Sequence, residues 1–268
     1  MRELCFLVTN DDGIESPFLA ALVAALLAHG RVTVVAPRVE QSWISKAMSR
    51  RNHINLQPRR ELFGCDAWDL NGTPADCVNL ALAHVVKDRV DAVVAGINIG
   101  TNAALPLILA SGTVGGALEG AMHGYHAIAS SLRLATEDMA AVREPGSKVP
   151  AHLAPSLQAV ARRTAQVAET VARKPRPRSF LVHNLNFPVG TTEATPLERS
   201  IPAPLLAGSL FKPATADGNE FFTFAFNVGE ERPADLLTDR ACIESARASH
   251  TILDYGRLGV TKDVAAAS

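Results

Sequence analysis

The sequence predicts a three-layer α/β fold, an open and mostly parallel sheet with helices on both faces, followed by an extended C-terminal arm. Short apolar runs typical of buried strands alternate along the 268 residues with longer runs typical of helices. Two of these helical runs begin with a cap-and-proline pair, Ser16-Pro17 and Thr73-Pro74. The composition, 47% hydrophobic and 20% charged, is that of an ordinary globular domain.

The chain begins with a strand–helix–strand unit. Leu4 to Val8 is a buried-strand run that ends in Thr-Asn-Asp-Asp-Gly. Ser16 caps a helix that we expect to end at Gly30, where a glycine can adopt the left-handed conformation. Residues 32–36, Val-Thr-Val-Val-Ala, predict a second buried strand. This order indicates two parallel strands joined by a right-handed crossover.

The same alternation continues to residue 188. Its predicted elements are, in order, a helix from Thr73 to about Val86, a strand over 91–96, a glycine-rich helix after Ser111-Gly112-Thr113, a strand over 127–132, a helix over 151–173 and a strand over 179–188. Residues 238–255 predict a last helix and a last strand. We therefore assign residues 1–188 and 234–268 to one α/β core.

Residues 189–233 interrupt the alternation. They carry proline, glycine and threonine together with one aromatic run, Phe-Phe-Thr-Phe-Ala-Phe at 221–226. We expect an extended arm or hairpin here. An aromatic strand with a free edge aggregates unless it is paired, so we also expect this arm to mediate self-association.

Charge and cysteine content exclude several classes of function. The formal net charge of −1 provides no general attraction to a nucleic-acid polymer or to a membrane. The longest apolar run, Phe18 to Ala28, is too short to span a bilayer, and the first residues lack the pattern of a signal peptide. None of the four cysteines has Cys-x-x-Cys spacing. We therefore expect free thiols and a cytoplasmic protein.

Polar residues follow the predicted strands at their carboxyl ends. Ligands bind beyond these ends in open α/β sheets, so we expect these residues to converge on one crevice. They are Asn10, Asp11 and Asp12 after the first strand, Ser42 and Ser45 after the second, Asn98 and Asn102 after the third, and Ser111, Gly112 and Thr113 at the start of a helix.

The chemistry of these groups points to a cation beside an anion. The carboxylates of Asp11 and Asp12 with the neutral oxygens of Ser42 and Asn98 form an all-oxygen set, which suits Mg²⁺, Mn²⁺ or Ca²⁺. The Ser-Gly-Thr segment places hydroxyl and free N–H groups at a helix N-terminus, a favourable place for a phosphate. Together they favour metal-assisted phosphoryl chemistry.

Each group also has a purely structural interpretation. Asp-Asp-Gly after a strand is a common turn sequence. Asn98, between two glycines, is suited to a left-handed turn, and Ser111 or Thr113 to a helix cap. The chain lacks the motifs of P-loop NTPases, dinucleotide-binding folds, EF-hands and the nucleophile elbow of α/β-hydrolases.

Five segments taken together resemble the SurE family of survival-protein nucleotidases. They are LVTNDDGIESP, VTVVAP followed by QS, NGTPADCV, GINIGTN and SGTVGGALEG. The resemblance covers the chain to about Leu132, and HNLNFP and TDRACIESARASHTI are weaker echoes. It implies a Rossmann-like α/β core with an extended arm, in a homodimer or homotetramer.

The resemblance also implies an activity. Members of the family are metal-dependent 5′(3′)-nucleotidases that act on nucleoside monophosphates, some of them also on short polyphosphate. It implies one divalent cation per subunit, Mg²⁺ or Mn²⁺. The implied metal ligands are Asp11, Asp12, Ser42 and Asn98, with the two aspartates as the catalytic pair. The implied phosphate-side residues are Asn10, Asn102, Ser111, Gly112 and Thr113.

Trp43 departs from the pattern of the family, which usually has glycine after the ligand serine. A bulky residue adopts a positive φ only at an energetic cost. We expect this indole to narrow or cover the phosphate crevice. The alternative to an enzyme is a non-catalytic paralogue that binds nucleotides or phosphate.

Overall fold

Nine strands form one open sheet in the computed structural model, which describes residues 2–143, 147–216, 219–225, 227 and 229–258. These strands are β1 (Leu4–Thr9), β2 (Gly30–Pro37), β3 (Leu56–Pro58), β4 (Asp66–Leu70), β5 (Ala92–Ile99), β6 (His126–Leu132), β7 (Leu181–Phe187), β8 (Leu197–Ser200) and β11 (Ala248–Asp254). Two further strands, β9 (Phe211–Ala216) and β10 (Asn219–Phe224), pair antiparallel as a separate two-stranded sheet.

The order of the strands confirms the predicted fold class. The sheet reads β3-β4-β2-β1-β5-β6-β7-β11-β8, and the six strands from β4 to β7 pair in parallel. The order 4-2-1-5-6-7 is that of a Rossmann-like sheet, which grows in one direction from β1 to β4 and in the other from β5 to β7. The order in which strands are added reverses between the parallel strands β1 and β5, so a crevice opens where these two strands end.

Helices cover both faces of the sheet. They are α1 (Pro17–Leu27), α2 (Pro74–Leu80), α3 (Leu105–Ala110), α4 (Gly112–Met122), α5 (Thr136–Arg143), α6 (Ala154–Ala172) and α7 (Asp239–Glu244), with a π-helical turn over Ala81–Val85 and a 3₁₀ turn over Tyr255–Arg257. On one face α1 packs against α6, and on the other α2 packs against α4. Successive side chains of β1 point to opposite faces of the sheet. Phe6 and Val8 belong to the core under α1, and Leu7 belongs to the core under α2.

Side-chain caps fix the starts of these helices. The Ser16 Oγ accepts a hydrogen bond from the N–H of Phe18, and Thr73 forms a reciprocal capping box with Asp76. Both caps were predicted from the sequence. The close packing predicted for the glycine-rich helix α4 is also found, because a Cβ at Gly115 would lie 2.3 Å from the carbonyl oxygen of Ser45.

The prediction for Gly30 was wrong. Helix α1 ends at Leu27 with Ala28 as a right-handed cap, and Gly30 is the first residue of β2. A Cβ at Gly30 would lie 2.3 Å from the carbonyl oxygen of Leu4 on the neighbouring strand. The glycine therefore permits a close approach of two strands rather than a turn.

Strands β3 and β4 and helices α3 and α5 were not predicted from the sequence. Strand β4, Asp-Ala-Trp-Asp-Leu, contains a buried charge that argues against a strand from sequence alone. The carboxylate of Asp69 is paired with the guanidinium groups of Arg38 at 2.8 Å and Arg59 at 3.1 Å. These distant partners make the buried carboxylate tolerable.

The stretch 189–233 contains two different kinds of structure. Strand β8 joins the main sheet, in parallel with β11. The hairpin of β9 and β10 pairs with itself, Phe224 facing Phe211, and exposes large aromatic side chains such as Phe222. No helix within the described part of the chain is long and apolar enough to cross a membrane.

Two histidines meet on the neighbouring strands β7 and β11. The Nδ1 atom of His183 lies 2.9 Å from the Nε2 atom of His250. Burial, and next the charge of Arg199, lowers the pKa of His183 to about 4 and that of His250 to about 3. The charge of Lys174 also lowers the pKa of both histidines, and the charge of His126 lowers that of His183. Both imidazoles are therefore neutral in the folded protein at pH 7.

We expect this pair to make the fold sensitive to acid. Below about pH 6.5 the unfolded chain binds protons that the folded chain does not, so the free energy of unfolding falls by about 1.4 kcal/mol per pH unit for each histidine. This stability is complete above pH 6.5 and is lost as the pH falls toward the folded pKa values. In the variant His250→Gln, the free energy of unfolding measured by urea denaturation should fall less steeply between pH 6.5 and pH 4.5.

The matched control for this experiment is His53→Gln, which changes an exposed histidine in the same way. It should keep the slope of the wild type. A His250→Gln variant whose stability falls with acid as steeply as that of the wild type contradicts the prediction.

Candidate functional site

A cavity of about 540 Å³ lies at the crevice between β1 and β5. Volumes of roughly 300–1,000 Å³ are typical of small-molecule sites. Of the nine residues in the predicted site, five line this cavity: Asp11, Ser42, Asn98, Asn102 and Ser111. The other four, Asn10, Asp12, Gly112 and Thr113, do not line it, and several of these contact the residues that do.

Asp11 lies directly beyond β1 and is 3% exposed. Its Oδ1 atom accepts a hydrogen bond from the Thr113 Oγ1, 2.6 Å away at the start of α4. Its backbone oxygen accepts a second bond, from the N–H of Gln41 at 2.7 Å. The side chain and the backbone of Asp11 thus join β1 to α4 and to the loop after β2.

Asp12 is turned toward the end of β5. Its Oδ2 atom accepts a hydrogen bond of 3.1 Å from the N–H of Ile99. The N–H groups of Asp11 and Thr113 also hydrogen-bond to the Asp11 carboxylate, and these bonds lower its pKa less than burial raises it. At both carboxylates the effect of burial on the pKa exceeds that of the hydrogen bonds.

The two carboxylates are electrostatically unfavourable as the protein alone presents them. Burial raises the pKa of Asp11 to about 6. Burial, and next the charge of Asp11, raises the pKa of Asp12 well above its usual value. Adjacent buried like charges of this kind require a positive partner or a proton. A hard divalent cation fits these oxygens and offsets the repulsion.

Ser42 and Asn98 could supply the neutral oxygens for such a cation. Ser42 donates a hydrogen bond to Glu40 Oε1, and it is one of the residues that line the cavity. Asn98 belongs to β5 and has no left-handed backbone, so it is not a turn residue. Its Nδ2 lies 3.4 Å from Ser131 Oγ, and this bond orients the amide.

No group of three or more His, Cys, Asp or Glu side chains in the described ranges is placed to hold a metal ion. A cation at this cavity would therefore depend on the amide and hydroxyl oxygens of Asn98 and Ser42 in addition to the two carboxylates. Such a mixed, hard-oxygen set suits Mg²⁺ or Mn²⁺.

Asn102 is held by the strongest local network of the site. Its Nδ2 donates to Ser131 Oγ at 3.0 Å, and its backbone N–H donates to Asn186 Oδ1 at 2.7 Å. Its carbonyl oxygen accepts bonds from the side-chain amides of Asn184 and Asn186 on β7. This network fixes the loop after β5 to a strand more than 80 residues later in the chain.

The N-terminus of α4 opens next to Asp11. The Ser111 Oγ accepts a hydrogen bond from the N–H of Val114, so Ser111 is the cap of this helix. The helix is 11 residues long, and its dipole favours an anion at this end. Gly112 fits because a Cβ there would lie 2.8 Å from the Gln41 oxygen and 2.9 Å from the Asp11 Cβ.

Asn10 is turned away from the cavity lining. Its Nδ2 donates to the carbonyl oxygen of Gly13 at 2.8 Å, which stabilises the turn after β1. Its Oδ1 is buried without a hydrogen-bond partner among the described residues. The geometry thus gives Asn10 a direct part in the turn.

Several residues of the cavity were not identified from the sequence. Arg133 follows β6, Arg143 ends α5, and Phe224 comes from the β9–β10 hairpin. Arg143 donates to the carbonyl oxygen of Ile99 at 3.4 Å. No motif surrounds any of these residues, and only the folded chain brings them to the end of β5.

Comparison with known proteins gives a family match that covers most of the chain. The model of the family described as survival protein SurE matches residues 6–201. The 5′-nucleotidase SurE of Methanosarcina barkeri is 30% identical over 260 residues, which cover 95% of this chain and 90% of that protein. The 5′-nucleotidase SurE of Methanocaldococcus jannaschii is 36% identical over 195 residues, which cover 72% and 70%.

A solved structure extends the similarity to the fold. The crystal structure of the SurE protein from Aquifex aeolicus superposes with a TM-score of 0.72. The two sequences are 25% identical, and the match covers 98% of each chain. The similarity therefore includes the later half of the chain, where the sequence motifs are weak.

The contact between Gly112 and Asp11 leads to a test of how tightly this site is built. We expect Gly112→Ala to lower the free energy of unfolding by about 1–3 kcal/mol, because the added methyl group overlaps the Gln41 oxygen. Urea denaturation measures this loss. Gly208→Ala is the control, since a Cβ there meets atoms at 3.4 Å or more. Equal stability of the two variants contradicts a tight contact at Gly112.

Proposed function

The chain belongs to the SurE family, and from this membership we propose that it is a hydrolase that converts nucleoside 5′-monophosphates, and 3′-monophosphates as a secondary class, to nucleoside and phosphate. The names of its relatives support this activity. The single observation in the structure that carries it is the pair of adjacent carboxylates beside the N-terminus of α4, where Asp11 and Ser111 line one cavity. The alternative, a non-catalytic binding paralogue, has no support from the comparisons.

The proposed site holds one divalent cation, Mg²⁺ or Mn²⁺, on Asp11, Asp12, Ser42 and Asn98. The raised pKa values of both carboxyls support this assignment, because a bound cation would favour their charged forms. A cation bound there supplies positive charge that polarises a phosphate oxygen and acidifies a water molecule. Asp11 and Asp12 are the catalytic pair.

The protein's own groups have distinct parts in the reaction. The hydroxyl of Ser111 and the N–H groups that begin α4 at Gly112 and Thr113 receive the phosphate oxygens, and their dipoles stabilise the charge that develops there, while the hydroxyl of Thr113 holds Asp11. Asn102, which lines the cavity, completes the phosphate side of the site, and Asn10, expected there from the sequence, instead supports the site through the turn after β1. One of the two aspartates orients a water molecule, which attacks phosphorus in line and breaks the bond between phosphorus and the ribose oxygen. The nucleoside leaves with a proton on that oxygen.

Other features of the molecule support proposals on a second substrate, the compartment and the oligomeric state. Short polyphosphate shares the terminal phosphate of the proposed substrate and is a second candidate. Free thiols at Cys5, Cys65, Cys77 and Cys242 support the proposal that the enzyme acts in the reducing cytoplasm. We also propose that it is a homodimer or homotetramer, because aromatic side chains such as Phe222 lie on the surface of the β9–β10 hairpin.

The variant Asp12→Asn tests the proposed site, because it keeps the shape of the side chain and removes one charge. We expect the release of phosphate from AMP in the presence of Mg²⁺ or Mn²⁺ to fall at least about a hundredfold, a rise of about 2.7 kcal/mol in the barrier. Without metal the melting temperature should hold or rise, because the repulsion between the carboxylates is relieved. Added metal should then stabilise the variant much less than the wild type.

The control for Asp12→Asn is Asp66→Asn, at the opposite, amino-terminal end of the parallel strand β4. It should keep both the activity and the stabilisation by metal. If metal stabilises the Asp12→Asn protein as much as the wild type and the activity remains, the adjacent aspartates form only a turn.

Removal of the β9–β10 hairpin tests the proposed self-association. The N–H of Ala225 donates to the carbonyl oxygen of Leu210 at 2.8 Å, so a short Gly-Ser link can replace residues 211–224 without moving the main sheet. We expect light scattering to give a smaller particle mass for this variant, since its exposed aromatic surface is gone. A second variant, Phe222→Glu, should act in the same direction. If the particle mass of both variants equals that of the wild type, the hairpin is not part of the interface.

A further inference from the structure

Trp43 has a backbone conformation that is unusual for a bulky residue. Its φ is 61°, in the left-handed region, and Ser45 in the same loop has a φ of 55°. Such a conformation costs about 1 kcal/mol or more and persists only where the surroundings hold it in place. An isolated surface tryptophan gives no reason to keep this strain.

Contacts on both sides of the residue hold this loop. The N–H of Gln41 is bonded to the oxygen of Asp11, and the N–H of Ser45 donates to the carbonyl oxygen of Ala110 at 2.9 Å. Beyond them, the ammonium group of Lys46 lies 2.5 Å from the buried carboxylate of Glu119 on α4. The direction of the Trp43 side chain is therefore determined by the same structure that positions Ser42.

The indole of Trp43 packs against a phenylalanine from the hairpin. The ring centroids of Trp43 and Phe224 lie 5.0 Å apart in an edge-to-face arrangement. Phe224 in turn lies 6.1 Å from Phe211 on the paired strand, nearly perpendicular to it. Aromatic pairs with these geometries stabilise each other beyond the area that they bury. The two rings thus form a preorganised aromatic wall, defined as Trp43 and Phe224.

This aromatic wall lines the same cavity as Asp11, Ser42 and Ser111. Both of its rings keep more than a third of their surface exposed, 41% for Trp43 and 49% for Phe224. Apolar side chains of Leu107, Leu134 and Met139 line other parts of the cavity. The cavity therefore combines a polar, anion-binding end with an apolar and aromatic remainder.

We propose that the Trp43–Phe224 wall is the nucleobase subsite, on which the base of the substrate stacks while its phosphate lies at the start of α4. This assignment rests on the proposed nucleotidase function and deepens it. Ser42 and Trp43 are neighbours in the chain, so one short loop contributes to both ends of the substrate. Every base has an aromatic face, and stacking accepts all of them. The wall thus selects nucleotides over phosphomonoesters that lack a base.

The experiment compares AMP with ribose 5-phosphate, which keeps the phosphate and ribose and lacks the base. Trp43→Asn removes the ring and retains a residue that tolerates the left-handed backbone. Phe224→Leu removes the second ring. In each variant the ratio of kcat/KM for AMP to that for ribose 5-phosphate should fall about tenfold, the loss expected for one stacked base. Trp43→Phe should recover most of the ratio.

The matched control is Phe221→Leu, the same substitution on the opposite face of β10, at a side chain of comparable exposure. Its ratio should equal that of the wild type. An unchanged ratio in Trp43→Asn and Phe224→Leu, or an equal fall in Phe221→Leu, overturns the proposal.

Adenosine binding separates this proposal from the proposed function. Adenosine has the base and no phosphate, so calorimetric titration with it reports the wall alone. We expect the wild type to bind adenosine and the variants Trp43→Asn and Phe224→Leu to bind it about tenfold more weakly. If the wild type hydrolyses neither phosphomonoester, the nucleotidase assignment fails and the titration alone decides the subsite. If AMP is hydrolysed and adenosine binding is absent or unaffected by both variants, the subsite fails and the nucleotidase assignment stands.

Discussion

The placement of two adjacent carboxylates at the end of β1, Asp11 buried and Asp12 partly buried, is the constraint on which the rest of this site depends. The Asp11 carboxylate accepts a hydrogen bond from the side chain of Thr113, and the Asp12 carboxylate accepts one from the N–H of Ile99. These bonds do not compensate two adjacent charges that also repel each other, because the pKa of each carboxyl stays raised. The neighbouring elements supply what a cation and an anion together require: neutral oxygens on Ser42 and Asn98, and the positive end of the α4 dipole.

The sheet topology makes this concentration of charge possible. Strands β1 and β5 are parallel neighbours, and the order in which strands are added to the sheet reverses between them. The crossover helices on either side of this point therefore leave a crevice at the ends of the two strands. Segments distant in sequence then meet there through specific bonds, such as Thr113 to Asp11 and Asn186 to Asn102. The site is rigid because each of these bonds also joins two elements of the core. The strained loop at Trp43 uses that rigidity, since the same bonds that hold Ser42 hold the indole.

The sequence by itself determined the features that arise from interactions within a few residues. The caps of Ser16, Thr73 and Ser111 each bond a backbone N–H two or three residues later, so a local pattern contains all the information required. Buried strands such as β1 and β5 are continuous apolar runs, because both faces of a parallel sheet are covered. The polar residues that follow them were expected to converge, and Asp11, Ser42, Asn98, Asn102 and Ser111 do line one cavity.

Only the tertiary structure decided the features whose partners lie far away in the chain. Strand β4 buries Asp69, and the arginines that neutralise it, Arg59 and Arg38, precede it by 10 and 31 residues. Gly30 is required by the backbone of Leu4 on the neighbouring strand, a contact that no local pattern predicts. Phe224 reaches Trp43 across about 180 residues of sequence because the hairpin folds back over the cavity. A sequence pattern reflects interactions between residues that are a few positions apart, whereas these contacts depend on which distant segments the topology brings together.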